Sequence, residues 1–423
     1  MYYFKLTLAA LIAATLWLAF VIISAFYGLW MTPVSPPGDT EDFFRKARAI
    51  VEAENSGNAA LLLIENGQLA AEYYSSSKDS INQYTVFSTA SMSKWITATA
   101  VMQLVQDGKI DLDAPISDYL TRWDLPVGEF DNREVTTRRL LSHTAGLADD
   151  LGFADYNAEE TLPALEESLS NPRASSGAEV EIAVRIQPGT EFRYSGGSYL
   201  ILQLLIEEVT GMSFKDYVQS AIFDPLAMTR STYDYIGDIE NNAGSYDRNG
   251  QAAPLYQYAA SAATGFATSS ADLASFVLAQ ISGENRISIV TEATVQSMRE
   301  PHGRLFGFDA YGLGTMFYAP IANDDYVFGH DGANDPAINS TARINPDNGD
   351  AIIVLVTGHP SLATNIGAEW LLWQTGYPDF LIMDAIIASM YLPALLGVLL
   401  VLLTFVFLCY RRYLHQRTIE RKE

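Results

Sequence analysis

Apolar residues form two long uninterrupted runs at the ends of this chain and short runs of helical or alternating spacing between them. The end runs, residues 6–31 and 385–410, contain no charged residue, and each is long enough to cross a bilayer as a helix. The first run is longer than a usual signal-peptide core and no small-x-small cleavage site follows it, which favours an uncleaved anchor over a cleavable signal. Both runs are therefore predicted to span a membrane.

Between these runs, the spacing predicts strands early and late in the chain, with helices and long loops between them. Asn66-Gly67 joins two short apolar runs, and this dipeptide is a strong signal for a β-hairpin. The order predicts an α+β fold, with one antiparallel sheet made from both ends of the domain, flanked by helices, and a helical lobe inserted between. Strands are predicted at 59–64, 68–74, 326–328, 340–344 and 351–357, and helices at 41–54, 95–105, 200–209, 271–280 and 362–374.

Basic residues cluster directly after the second apolar run, at Arg411, Arg412, Arg417, Arg421 and Lys422. By the positive-inside rule they place the C-terminal tail in the cytoplasm, and Lys5 is a weaker indication of the same side for the N-terminus. The domain between the spans is then periplasmic or extracellular. We predict an N-terminal transmembrane anchor and proline-rich linker at 1–38, the domain at 39–378, and a second transmembrane helix with a basic tail at 379–423.

Charge and cysteine content narrow the function classes. Of the 26 basic and 50 acidic residues, six basic and two acidic ones lie before the first apolar run or after the second, which leaves 20 and 48 between the two runs and a net charge of about −28. A surface this acidic excludes a nucleic-acid partner and is repelled by anionic lipid. The single cysteine, Cys409, lies in the second apolar run, so the domain is expected to contain no disulfide.

A serine and a lysine three residues apart stand just before the helix predicted at 95–105. On a helix this spacing puts both on one face, so Lys94 can reach the Ser91 hydroxyl and help remove its proton. The S-x-x-K pattern is common by chance, and Ser75 to Lys78 repeats it in a polar stretch predicted to be a solvated loop. Taken alone, the pattern leaves two interpretations open: a serine nucleophile, or an ordinary serine at a helix start with Lys94 extended to water.

Three further motifs follow in order: LLSHTAGL at 140–147, PGTEFRYSGGSY at 188–199 and FGHDGAN at 328–334. In this order after S-x-x-K, they resemble the serine β-lactamase and penicillin-binding-protein-like superfamily. The resemblance is closest to the class C branch, which also holds family VIII esterases and D-peptidases, and it extends over about residues 41–376. It implies the β-lactamase/transpeptidase-like α+β fold.

The resemblance also implies a role for individual motif residues. Ser91 would attack a carbonyl group and form an acyl-enzyme, while Lys94 and Tyr194 would move the protons, with the base assignment between them left open. Lys94 would also lower the pKa of the Tyr194 phenol. The oxyanion hole would use the backbone N–H groups of Ser91 and Ala333, and Gly332 would let the substrate approach the backbone.

Two positions depart from the penicillin-binding pattern and bear on the substrate. Gly196 stands where relatives often carry the asparagine of Y-x-N, and His330 replaces the lysine of K-T-G, which helps bind a carboxylate. Both positions are still expected to contact the substrate, but they favour ester, amide or D-peptide hydrolysis over β-lactam hydrolysis. His143 is expected to be structural and to fix a loop through hydrogen bonds.

The sequence contains no pattern that indicates a metal or an organic cofactor. Its histidines have no metal-ligand spacing, and no phosphate loop or G-x-S-x-G elbow occurs. We therefore expect a membrane-anchored serine hydrolase that acts on a small-molecule or peptide acyl substrate by acylation and deacylation. The alternative is a non-catalytic receptor of the penicillin-binding type for peptidoglycan fragments or β-lactams. The histidines are His143, His302, His330, His359 and His415.

Overall fold

The computed structural model describes residues 2–76, 80–149, 155–174, 180–234, 239–281 and 287–420. These form two compact units, one made of residues 1–38 with 371–423 and the other of residues 39–370. The helices are α1 Tyr2–Ala25, α2 Thr40–Glu54, α3 Ser93–Gln106, α4 Thr137–Leu141, α5 Leu165–Ser170, α6 Gly196–Thr210, α7 Phe214–Val218, α8 Ser261–Thr264, α9 Ser270–Ala279, α10 Glu292–Met298, α11 Leu362–Thr375 and α12 Met383–Glu420. The strands are β1 Ala59–Glu65, β2 Gln68–Ser75, β3 Val86–Ser88, β4 Asp155–Tyr156, β5 Gln257–Tyr258, β6 Ala267–Ser269, β7 Gly303–Leu305, β8 Phe308–Tyr311, β9 Met316–Pro320, β10 Tyr326–Asn334, β11 Ile338–Asn345 and β12 Asp350–Thr357.

Eight of the described strands form one antiparallel sheet in the order β2-β1-β12-β11-β10-β9-β8-β7. The early hairpin of β1 and β2 joins the late strands through β1 and β12, where Ala60 lies opposite Leu355. Asn66 and Gly67 have φ angles of 50° and 68°, as a two-residue hairpin turn requires. The predicted α+β fold, with a sheet built from both ends of the domain, is confirmed.

The structure differs from the prediction at the far side of this sheet. The short strands β7, β8 and β9 were not predicted, because glycines within and between them weaken the strand signal. Strand β10 was predicted to end at Phe328 and instead runs to Asn334, since its pairing with β11 continues through Gly329 and Gly332. The H-D-G motif is consequently part of a strand.

Helix α3 is buried on nearly all sides, which is why its apolar residues are not confined to one face. The Trp95 ring packs edge-on against Phe276 and Phe328, with centroids 5.1 and 6.0 Å away. On another side, a Cβ on Gly314 would lie 2.0 Å from the Cβ of Ala98, so only glycine permits this approach. Because its neighbours enclose the helix, a lysine in the first turn of α3 is kept from water.

The unit made from the chain ends contains the two described helices that are long and apolar enough to cross a membrane, α1 and the stretch Met383–Ile419 of α12. The indole Nε1 of Trp17 donates a hydrogen bond to the Pro393 carbonyl oxygen at 3.0 Å. Gly397 makes room for this ring, since a Cβ there would lie 1.8 Å from the same nitrogen. Helices α1 and α12 therefore pack closely at Gly397, where the side chain of a larger residue would occupy the space of the Trp17 ring.

A buried ion pair ties β10 to β11 beneath α11. The Arg343 side chain is 0% exposed, and its Nη2 lies 3.1 Å from Oδ2 of Asp331. The guanidinium covers the Tyr318 ring at 3.8 Å from its centroid, and Asp331 also accepts hydrogen bonds from the hydroxyls of Tyr318 and Thr341. A Cβ on Gly367 would lie 2.7 Å from Arg343 Nε, so glycine lets α11 cover the pair. The middle residue of H-D-G thus anchors its strand.

We expect the Arg343→Ala variant to lose about 3–5 kcal/mol of unfolding free energy, because the Asp331 carboxylate would lose the buried guanidinium with which it pairs. Urea denaturation of the full chain in detergent measures this change. The matched control is Arg133→Ala, which breaks an ion pair with Asp118 whose side chains are 63% and 48% exposed, and should cost less than about 1 kcal/mol. Equal losses in the two variants would contradict the prediction.

Candidate active site

Ser91 lies in a 3-10 turn, Ala90–Met92, that leads directly into α3. Ala90 has a φ of 50°, in the left-handed region, so the chain turns sharply just before the serine. Ser93 holds this turn in place: its Oγ donates to the Ala90 carbonyl oxygen at 2.6 Å and accepts from the Phe266 N–H at 2.9 Å. Ser91 therefore stands at the helix entrance with a half-buried side chain.

Lys94 lies in the first turn of α3 and is 1% exposed. Its Nζ is 3.2 Å from Ser91 Oγ and donates to the Ala263 carbonyl oxygen at 2.9 Å. Burial lowers the pKa of Lys94 to about 7, and the negative charge of Asp149 acts in the opposite direction. Near neutral pH the amine is therefore partly uncharged, and it lies within reach of the serine proton. The second S-x-x-K pattern begins at Ser75, the last residue of β2. Its lysine, Lys78, lies outside the described residues.

Tyr194 is the third residue that the structure brings to this point. Its ring centroid is 4.8 Å from Lys94 Nζ, and the residue is 44% exposed. Burial around the hydroxyl raises the pKa of Tyr194, while a hydrogen bond with Ser91 acts in the opposite direction; solvent at the exposed part of the ring moderates the shift. The expectation that this pKa is lowered is wrong in direction, because desolvation of the phenol outweighs the hydrogen bond with Ser91. Tyr194 is a neutral phenol at pH 7.

His143 fixes the loop that carries Tyr194. Its Nδ1 accepts a hydrogen bond from the Ser195 N–H at 3.1 Å, and its carbonyl oxygen accepts from the Arg193 N–H at 2.8 Å. The ring also packs against the Tyr194 ring, with centroids 4.3 Å apart. Burial keeps the pKa of His143 well below its usual value, so the ring is neutral. The predicted structural role of His143 is confirmed by these bonds on both sides of Tyr194.

Strand β10 runs directly beside the Ser91 turn, and Gly332 is the point of contact. A Cβ at Gly332 would lie 2.0 Å from the Thr89 carbonyl oxygen and 3.1 Å from the Ser91 nitrogen. Ser340 on β11 ties the two segments together by donating to the same Thr89 oxygen at 2.8 Å. Asn339 supports the strand from β11, since its Nδ2 donates to the Gly332 carbonyl oxygen at 3.1 Å. Only glycine permits this approach of strand and turn.

Ala333 follows on the same strand and is exposed. The Asp331 N–H points to the β9 side of β10, where it donates to Met316 Sδ at 3.4 Å. Because N–H groups two residues apart in a strand point to the same edge, the Ala333 N–H also faces away from β11. With the Ser91 nitrogen next to Gly332, the arrangement can hold an oxyanion between two backbone N–H groups.

The side chain of His330 on this strand is buried, and the residue is 1% exposed. Its Nδ1 is 2.6 Å from the Asp331 carbonyl oxygen and so carries the proton, while Nε2 accepts from the Tyr311 hydroxyl at 2.9 Å. Burial lowers the pKa of His330 to about 3. The expected contact between the His330 ring and a substrate is not available in this arrangement, since protein groups occupy both ring nitrogens.

Gly196 begins α6 and is buried, so the third position of Tyr-Ser-Gly presents no side chain. The next residue, Gly197, donates its N–H to Asp149 Oδ2 at 3.0 Å, and Ser195 Oγ donates to the same oxygen at 2.7 Å. Asp149 is 3% exposed and was not predicted as a site residue. Its only sequence signal is its place two residues after LLSHTAGL, because it meets its partners across a long stretch of chain.

The residues that the structure describes contain no group of three or more His, Cys, Asp or Glu side chains that could hold a metal ion. Buried aromatic rings surround the described site instead. Tyr311 packs against His143, Phe192 and His330, with centroids 4.8, 5.7 and 5.9 Å away. The chemistry available here is proton transfer between a serine, an amine and a phenol beside two backbone N–H groups.

A protein-family model described as Beta-lactamase matches residues 43–377 of this chain. Among curated proteins, Protein flp of Staphylococcus aureus strain N315 is 22% identical over 370 residues, which cover 84% of this chain and 71% of that protein. The octameric penicillin-binding protein homologue from Pyrococcus abyssi has a TM-score of 0.64 at 22% identity and covers 81% of this chain and 79% of its own. The D-amino acid amidase from Ochrobactrum anthropi SV3 has a TM-score of 0.57 at 22% identity and covers 78% of this chain and 96% of its own.

We expect the Gly332→Ala variant to react at least about 100-fold more slowly with a fluorophosphonate probe, since the added Cβ must push β10 and its N–H groups away from Ser91. The rate of covalent labelling measures this. Gly128→Ala is the matched control, because a Cβ there meets only the Val184 carbonyl oxygen at 3.4 Å. Wild-type labelling rates in Gly332→Ala would show that the contact does not shape the site.

Proposed function

Because this chain belongs to the beta-lactamase family, whose family model matches residues 43–377, we propose that it is a membrane-anchored serine hydrolase that cleaves ester or amide bonds through an acyl-enzyme on Ser91. One observation carries the proposal: the buried amine of Lys94, with a pKa of about 7, lies 3.2 Å from the Ser91 hydroxyl oxygen. An amine in this state accepts the serine proton near neutral pH.

In the proposed acylation, Lys94 takes the hydroxyl proton of Ser91 as Oγ forms a bond to the substrate carbonyl carbon. The carbonyl oxygen becomes negatively charged and accepts hydrogen bonds from the N–H groups of Ser91 and Ala333. Tyr194 then donates its proton to the leaving group as the bond between that group and the carbonyl carbon breaks. The ammonium of Lys94 returns a proton to the Tyr194 oxygen, so both residues end in their starting states.

Deacylation follows the same path with water in place of the leaving group. The water oxygen bonds to the acyl carbon while its proton passes through Tyr194 to Lys94, and the bond to Ser91 Oγ then breaks as Lys94 returns a proton to that oxygen. The raised pKa of Tyr194 makes a free phenolate a minor species. We therefore propose Lys94 as the base in both steps, with Tyr194 as the group that carries protons across the cleft.

The departures from the penicillin-binding motifs support esters and amides as substrates over β-lactams. A neutral, buried His330 supplies no positive charge for the carboxylate that the lysine of K-T-G binds, and Gly196 supplies no side-chain amide for an acyl group. We propose that His330 and Gly196 act as backbone that borders the site. The likeness in fold to a D-amino acid amidase supports amides of D-amino acids as one candidate class.

The two long apolar helices support anchoring at both ends of the chain. In the proposed arrangement, residues 1–38 and 379–423 hold the hydrolase domain, 39–378, on the periplasmic or extracellular side, and the basic tail lies in the cytoplasm. The enzyme would then act close to the membrane on small-molecule or peptide acyl substrates. We propose no metal and no organic cofactor.

The proposal is tested by a parallel screen of the full-length protein in detergent against short-chain p-nitrophenyl esters, D-amino acid amides, D-Ala-D-Ala peptides and nitrocefin. We expect repeated turnover, with esters hydrolysed fastest, and complete loss in Ser91→Ala. A faster nitrocefin rate would overturn the substrate order. A single acylation without turnover would instead support the alternative, a receptor for peptidoglycan fragments or β-lactams. Equal labelling of wild type and Ser91→Ala by a fluorophosphonate probe would refute Ser91 as the nucleophile.

We expect the rate of Ser91 labelling by a fluorophosphonate probe to rise with pH through a midpoint near 7 and then level off. Lys94 accepts a proton only in its neutral form, and burial lowers its pKa from 10.5 to about 7, so the active form is lost as the pH falls below that value. In Lys94→Met this limb should disappear and the rate should fall by at least about 100-fold. A midpoint near the ordinary lysine pKa would mean that Lys94 is not desolvated.

Topology is tested with a membrane-impermeant thiol reagent on cells that express single-cysteine variants in a Cys409→Ser background. Val127→Cys places the thiol on the domain at a residue that is 99% exposed, and His415→Cys places it in the tail. We expect labelling of the first variant in intact cells, and labelling of the second only after the membrane is permeabilised. The reverse pattern would place the domain in the cytoplasm.

A further inference from the structure

We propose that Asp149 is a positioning residue of this site, whose buried carboxylate holds the Tyr194 loop at the start of α6 and balances the charge that Lys94 takes up during the reaction. The inference rests on the proposed serine hydrolase function and adds a residue that none of the motifs contains. It is carried by the hydrogen bonds of a carboxylate that is 3% exposed.

The contacts of Asp149 converge on one oxygen. Its Oδ2 accepts from the Ser195 hydroxyl at 2.7 Å and from the Gly197 N–H at 3.0 Å. Ser195 in turn accepts from the Ser198 N–H at 3.0 Å and is the N-cap of α6, so the carboxylate fixes the first turn of that helix. A negative charge is favourable at this end of a helix. Because Tyr194 directly precedes Ser195, Asp149 holds the backbone next to Tyr194.

The absence of a side chain at Gly197 leaves room for the carboxylate of Asp149. A Cβ on Gly197 would lie 2.3 Å from Asp149 Oδ2 and 3.0 Å from two carbons of Ile182. Glycine therefore lets the backbone close onto the acid. His143 holds the opposite side of the loop through the Ser195 N–H and the Arg193 N–H. The loop that carries Tyr194 is thus held by two buried groups, the neutral imidazole of His143 and the carboxylate of Asp149.

The charge of Asp149 matters because Lys94 gains a proton when Ser91 is activated. The groups that face Lys94 are Ser91 on the 3-10 turn, the Ala263 carbonyl of α8, the rings of Tyr194 and Tyr199, and more distantly His143 and His330. Burial lowers the pKa of both histidines, so they are neutral near pH 7. Asp149 is the acidic side chain that raises the pKa of Lys94 and so favours the ammonium.

The matched variants are Asp149→Asn and Ser195→Ala. Asparagine has the same shape and can still accept both hydrogen bonds through its amide oxygen, but it carries no charge. Alanine at 195 removes one donor and leaves the charge. The readout is the labelling rate of the full-length protein with a fluorophosphonate probe across about pH 5 to 9, which requires Ser91 activation but no particular substrate.

We expect Asp149→Asn to move the acid limb to lower pH by about one unit, because without the carboxylate the Lys94 ammonium is less favoured, and to lower the plateau rate by about tenfold. Ser195→Ala should lower the plateau and leave the midpoint in place. Asp149→Ser, a second neutral replacement, should shift the limb in the same direction and covers the case in which Asp149→Asn does not fold. Thermal melts establish folding for each variant.

An unchanged midpoint in both folded neutral variants would overturn the inference, as would an equal shift in Ser195→Ala. These outcomes differ from failure of the proposed function, in which wild type and Ser91→Ala would label alike. That result would remove both proposals, whereas normal wild-type labelling with an unchanged Asp149→Asn profile would remove only the role of Asp149.

Discussion

The site depends on keeping one amine, that of Lys94, away from water in the first turn of an enclosed helix. A fully desolvated ammonium is costly, and burial accordingly lowers the pKa of Lys94 to about 7. The structure offsets part of this cost with the Ala263 carbonyl at 2.9 Å, the Ser91 hydroxyl at 3.2 Å and the face of the Tyr194 ring. The burial that opposes the charged form therefore also leaves a partly neutral amine beside the serine, and the enclosure of α3 maintains it.

The second constraint is the distance between the helical lobe and the sheet. The Ser91 turn and strand β10 come from segments far apart in the chain, and they meet where Gly332 lies against the Thr89 carbonyl oxygen. The hydrogen bond from Ser340 to that oxygen and the buried pair of Arg343 and Asp331 hold the strand in this register. Backbone N–H groups can serve as oxyanion donors only if their position varies little, so the buried pair supports the site as well as the fold.

Two buried histidines near Lys94, His143 and His330, are uncharged near pH 7. Burial keeps the pKa of both His143 and His330 low, so neither adds a positive charge beside Lys94. Each neutral imidazole accepts a hydrogen bond on one nitrogen: His143 from the Ser195 N–H and His330 from the Tyr311 hydroxyl. Around Lys94 they add no charge, so burial and the negative charge of Asp149 set the direction of its pKa shift.

The sequence by itself determined the longer helices, most strands of the sheet, the family and the meeting of Ser91, Lys94 and Tyr194, because these follow from local spacing and from motifs that keep their order. It did not determine that β10 continues through Gly329, since pairing with β11 overrides the weak strand signal of glycine. The buried position of His330, the raised pKa of Tyr194 and the contacts of Asp149 were decided only by tertiary structure. Each depends on which distant segments exclude water from a side chain, and desolvation and long-range contacts leave no periodic trace in the chain.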